Sequence, residues 1–133
     1  MFNTIVTLVR GRGHDAAQAL ADANALSILR QQLRDAAAGV EAARRSVAVV
    51  MAYAERERKS LPRIAGQLAD LEGRARAALS NGREDLATEA ASAIAQLEAE
   101  RATTESALAT YEVEIARLKE ELSGAETRLR DLK

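Results

Sequence analysis

The side chains that carry out chemistry are scarce in this chain and poorly spaced for it. There is one histidine, His14, and no cysteine, so neither a thiolate metal site nor a Cys–His nucleophile can form. Carboxylates occur as adjacent pairs, Glu84-Asp85 and Glu120-Glu121. Neighbours on a helix point in different directions, so neither pair converges on one substrate atom. None of the seven glycines introduces the Lys-Ser/Thr pair of a phosphate-binding loop. His14 follows Gly13 and reads as an exposed side chain. The expectation is a protein that is not an enzyme and holds no cofactor and no metal.

The chemistry that the residues do support is that of surfaces. On a helical wheel, Met1, Phe2, Ile5, Val6, Leu8 and Val9 fall within an arc of about 160°. Asn3, Thr4, Thr7 and Arg10 occupy the remainder. Arg10 and Arg12 follow directly, with His14 beside them. An apolar face flanked by cations is the form of a helix that lies in a membrane interface, drawn by acyl chains and anionic headgroups together. The same face could instead pack on the rest of the chain or on a neighbouring subunit. Ten residues are too few for a stable lone helix in water, so this one orders only on a surface.

The elements that must carry such a segment are legible from composition and period. Of 133 residues, 47% are hydrophobic but only 2% aromatic, with one proline, a balance typical of long helices and coiled coils. Stepping by heptads from Leu26 gives Leu33, Val40, Val47, Ala54, Leu61, Leu68 and Ala75. Stepping from Leu29 gives Ala36, Ala43, Val50, Glu57, Ile64, Leu71 and Ala78, of which only Glu57 is not apolar. A second seam runs from Ala87 and Ala90 to Leu129 and Leu132, interrupted at Arg101 and Thr104. A 3–4 spacing held this long is a coiled-coil seam. Between the seams, Ser80-Asn81-Gly82-Arg83 supplies residues that tolerate the left-handed conformation ending a helix. Glu84 and Asp85 then fall in the first turn of the next helix, where its dipole favours acids.

The predicted fold is all-α: a long antiparallel two-helix coiled-coil hairpin preceded by a short amphipathic N-terminal helix. Residues 1–13 form that helix and a glycine linker. Residues 14–133 form the hairpin, with helices over about 22–79 and 84–133 and a turn at 80–83. Folding there sets Leu61 and Ile64 opposite Thr104 and Arg101, with Glu57 one layer further out. The polar exceptions of both seams therefore meet. Pro62 lies in the same stretch and costs about 3 kcal/mol in a regular helix, so a bend is expected near residues 58–62. Glu57 and Pro62 mark either a tolerated kink or a hinge.

Charge adds to the case. Ten basic and six acidic residues precede Ile64, whereas nine and fourteen follow it, so the hairpin brings opposite signs together. The net charge of −1 excludes a general attraction to nucleic acid. No stretch reaches the roughly 18 apolar residues of a spanning helix, and no secretory leader is present, so a cytoplasmic protein is expected. Ala37, Ala38, Ala48, Val49, Met51 and Ala52 widen the first seam beyond what one partner helix covers. Self-assembly is expected to cover them.

These residues resemble a known family. Ala77-Ala78-Leu79 followed by Gly82-Arg83-Glu84-Asp85-Leu86-Ala87 is similar to the hairpin tip of phage shock protein A and the vesicle-inducing protein in plastids. Leu29-Arg30-Gln31-Gln32-Leu33-Arg34-Asp35 is similar to the opening of that family's first long helix. The resemblance implies a membrane-stress protein of the ESCRT-III superfamily that polymerises and remodels the cytoplasmic membrane from its inner face. It implies that Met1–Arg10 inserts into anionic lipid, that the hairpin stacks on copies of itself, and that a AAA+ ATPase is a possible partner. Two departures stand out: family members continue beyond the position of Lys133 into further helices, and Pro62 falls where the family usually has an unbroken helix.

Overall fold

The computed structural model describes the backbone of residues 2–133 and the side chains of residues 12–133. Two helices account for it: α1, Phe2–Ser80, of 79 residues, and α2, Glu84–Leu132, of 49 residues. No strand occurs among the described residues. The chain divides into two compact units, Arg44–Glu121, and Met1–Ala43 with Leu122–Lys133.

In the unit Arg44–Glu121 the two helices run antiparallel on either side of one turn. That turn is built by glycine. Among the described residues Gly82 alone has a positive φ, 70°; Asn81, expected to share the left-handed conformation, does not. Gly82 N–H donates to the Leu79 carbonyl at 3.1 Å and Arg83 N–H to the Ala78 carbonyl at 2.8 Å. This pair of bonds closes the orphan carbonyls of a helix end and requires a residue without a Cβ penalty at the reversal. Ala87 N–H then donates to the Arg83 carbonyl at 3.1 Å, starting α2.

The seam lies where the period places it. Val47, Ala54, Ile64, Leu68 and Ala78 of α1 are buried, Ile64 completely, and Leu118 and Thr104 of α2 are buried against them. Thr104, a polar break in the sequence pattern, fits because its side chain is small; Arg101, the other break, is exposed. Glu57 is half-buried. Pro62 does not interrupt α1. It sits on the exposed side, so the carbonyl that its missing N–H would have served can be met by water.

In the unit Met1–Ala43 with Leu122–Lys133, Val40 is buried, and Leu33, Ala36 and Ala43 are half-buried, as are Leu122, Ala125, Leu129 and Leu132. The heptads predicted at Leu26 and Leu29 are not covered: these residues are 54% and 37% exposed. Leu132, at the end of α2, shares a groove with Gln32 and Ala36 and not with Leu26. Period identifies an apolar stripe, but burial needs a second helix alongside.

The first long helix was predicted to start near Asp22. Instead, α1 already includes residues 12–21 and its bounds run through Gly11-Arg12-Gly13. Ala16, Ala17, Ala19 and Ala21 are strong helix formers, and each glycine costs only about 1 kcal/mol relative to alanine. The amphipathic face predicted for Met1–Arg10 rests on side chains outside the described residues.

Candidate functional site

Three surfaces carry the residues singled out by the sequence. The first is the hairpin tip. Arg83 aims its guanidinium fork at Asp85, with Nε and Nη2 at 3.2 and 3.1 Å from the two carboxylate oxygens. That pairing, together with the Leu86 backbone N–H, holds the Asp85 carboxyl below its ordinary range. Asp85 thus serves the first turn of α2 while remaining exposed. Leu79 and Leu86 flank the turn, 61% and 42% exposed. Leu86 lines a shallow groove with Leu71, Ala78 and Ala90. The tip presents apolar side chains with a paired cation and anion between them, an arrangement suited to contact with another surface. Asn81 and Glu84 are exposed beside it.

The second surface is the flank of α1 around Met51. The residues predicted to widen the seam, Ala48, Val49, Met51 and Ala52, are all exposed, Val49 by 51% and Met51 by 47%. Ala48, Met51 and Ala52 line an open groove with Ile115 of α2. Arg58 crosses its edge, bonded to Glu55 at 2.7 Å and to Glu112 at 3.5 Å. Arg63 reaches Glu100 at 2.9 Å further along. Both inter-helix pairs place the cation on α1 and the anion on α2, the arrangement expected from the charge asymmetry. All these groups are half-exposed, so the pairs contribute little to stability and more to alignment.

The sequence reading missed the partner of Tyr111. Tyr53 stacks on it with ring centroids 5.9 Å apart, and the Arg56 guanidinium lies 5.6 Å from the Tyr53 ring centre. Tyr53 flanks the seam one position before Ala54, and such a flank residue could have been paired with Tyr111 by counting from the turn. Near Pro62, Ser60 Oγ donates to the Arg56 carbonyl at 3.2 Å; a hydroxyl bonded back to its own helix is common where a helix is perturbed.

The third surface is the N-terminal stretch. Of the residues proposed there, Met1, Phe2, Ile5, Val6, Leu8, Val9 and Arg10 have side chains outside the described residues; Arg12 and His14 are exposed.

Acidic neighbours do not converge. Asp85 is engaged by Arg83 and Glu121 by Arg117, which also pairs with Glu114, while Glu84 and Glu120 face solvent. Among the described residues, no cluster of His, Cys, Asp and Glu is suited to a metal ion, and no helix is long and apolar enough to cross a membrane.

No curated protein and no solved structure matches the chain. One family model does, that of the PspA/IM30 family, over residues 1–133. Membership in that family, structural and regulatory rather than enzymatic, suggests a role in the membrane stress response at the cytoplasmic membrane. With the whole length matched and two long packed helices observed, the chain belongs to the PspA/IM30 family.

Proposed function

We propose that this protein is a membrane-associated stress-response protein that self-assembles and protects or remodels the cytoplasmic membrane in the manner of ESCRT-III proteins. The observation that carries the reading is the family match over residues 1–133. It is supported by the segregated apolar face of Met1–Val9 and the cations Arg10 and Arg12 that follow it. Such a face gains from burying apolar area in the interface and from anionic headgroups, about 1 kcal/mol per Lys or Arg near the surface. The exposed apolar flank at Val49 and Met51 supports self-association.

The test is cosedimentation with anionic liposomes. The intact chain pellets with the vesicles, and deletion of residues 1–10 abolishes this; undiminished pelleting of the deleted chain refutes the lipid assignment. The open groove at Met51 and Ile115 favours a second reading, a regulatory module that binds and inhibits a AAA+ transcriptional activator. On that reading, adding the chain to such an ATPase lowers its ATP hydrolysis, and a Met51→Glu variant does not.

A further inference from the structure

We infer that Ser60 is a phosphorylation site for a serine kinase that selects basic substrates, and that phosphate there draws Arg63 away from Glu100, undoing a link between the two helices of the hairpin. Residues 56–63 carry four cations and one anion. Arg56, Arg58 and Lys59 precede the Ser60 hydroxyl, and Arg63 follows it by three residues. A kinase whose peptide groove is lined by carboxylates distinguishes its substrates by such a charge pattern.

A kinase takes its substrate as an extended segment, so a serine inside a helix must first be released by local opening. Three features weaken α1 at this point. Pro62 has no N–H for the Arg58 carbonyl. Ser60 Oγ donates to the Arg56 carbonyl at 3.2 Å, in competition with the helix's own bond there. Glu57 occupies a seam position, and the seam positions facing this stretch are Thr104 and Arg101 instead of large apolar side chains. Ser60 itself is half-exposed, with Lys59, Pro62 and Arg63 exposed around it. Once the segment opens, Oγ attacks the γ-phosphorus of ATP and the bond from that phosphorus to ADP breaks. The hydroxyl proton passes to the carboxylate base of the kinase.

The consequence follows from helix geometry. Arg56, Ser60 and Arg63 fall within an arc of about 60° on α1, four and three residues apart, the spacing at which helix side chains meet. In the unmodified chain the Arg56 guanidinium rests 5.6 Å from the Tyr53 ring centre, and Arg63 reaches across to Glu100 at 2.9 Å. A phosphate on Ser60 sets about two negative charges and three acceptor oxygens between these two arginines. It carries more charge than the Glu100 carboxylate and sits on the same helix as Arg63, so it takes the guanidinium as a charge-assisted hydrogen-bond partner. The pairing within α1 strengthens, and the pairing between α1 and α2 is lost. Glu100 is exposed, so water meets the carboxylate that Arg63 leaves.

The test incubates the full chain with radiolabelled ATP and a purified serine kinase that selects basic substrates, and locates the modified residue by mass spectrometry. Phosphate enters at Ser60 and is absent from Ser60→Ala. Incorporation is several-fold slower in Pro62→Ala, where the restored N–H closes the helix, and in Arg58→Ala, where the kinase loses a cation. Circular dichroism checks that each variant keeps its helices. In the phosphorylated chain, a double-mutant cycle between Arg63 and Glu100 returns no coupling. A wild-type chain that takes no label, label that survives Ser60→Ala, or a rate that Pro62→Ala or Arg58→Ala leaves unchanged overturns the site. Coupling between Arg63 and Glu100 that persists after phosphorylation overturns the exchange of partners.

Discussion

Residues 33–78 and residues 12–32 of α1 belong to one helix and carry comparable apolar stripes, yet only the first has a partner. Ile64 and Leu68 are buried, whereas Leu20, Leu26 and Ile28 are more than half exposed. The difference is not in propensity, since both stretches are helical. It lies in whether α2 runs alongside. Most of the stability of a long helix comes from burying its apolar face, not from forming the helix, so the two stretches should respond very differently to the same substitution.

The largest contrast is expected at the seam. Ile64→Ala removes a completely buried side chain and should cost about 3 kcal/mol in denaturant unfolding, while Leu26→Ala should change stability by less than about 0.5 kcal/mol. Equal costs would mean that residues 12–32 find a partner in solution, and a concentration-dependent midpoint for wild type would identify that partner as another copy.

Glycines sharpen the comparison next. At Gly82, φ of 70° makes Gly82→Ala unfavourable by about 1–2 kcal/mol, although a Cβ there would meet no neighbour. At Gly66, inside α1 with equally open surroundings, the same change should stabilise by about 0.5–1 kcal/mol. Thermal melts of the two variants should therefore shift in opposite directions.

Smaller still is the coupling between Arg63 and Glu100. A double-mutant cycle should return about 0.2–1 kcal/mol, declining as salt is added. The smallest effect is at the tip. Arg83 lowers the Asp85 pKa in the folded chain, so this pair's contribution is present above the ordinary carboxylate range and is lost as pH falls through the lowered value. Asp85→Asn should remove that part of the acid dependence of the melting temperature and leave the rest.

Much of this architecture was legible in the residues because coiled coils write their packing into a repeat. The seam from Leu33 to Ala78, the return seam to Leu132 and the turn at Gly82 all follow from spacing and one left-handed residue. What was not legible depends on lengths and neighbours. Leu26 and Leu29 fit the repeat, but a repeat does not say whether a second helix covers them. Thr104 and Arg101 look like equivalent interruptions, but one is small enough to be buried and the other turns outward. The Tyr53–Tyr111 stack joins residues from different helices, a pairing that register determines and period does not. For the functional surfaces, the tip and the Met51 flank were visible as composition, whereas the pairing of Arg58 with Glu112 and of Arg63 with Glu100 across the hairpin required the structure.

The turn at Gly82 also bears on how Arg44–Glu121 comes together. Cross-helix partners there are separated along the chain by a distance that grows steadily from the tip: Ala78 and Ala90 are close, Tyr53 and Tyr111 far apart. Loop closure disfavours the distant pairs unless the near ones have formed, so the two strands of the hairpin should close as a zip does, starting at Gly82. Opening should run in reverse, and backbone amides beside the turn should be the last of this unit to exchange with solvent.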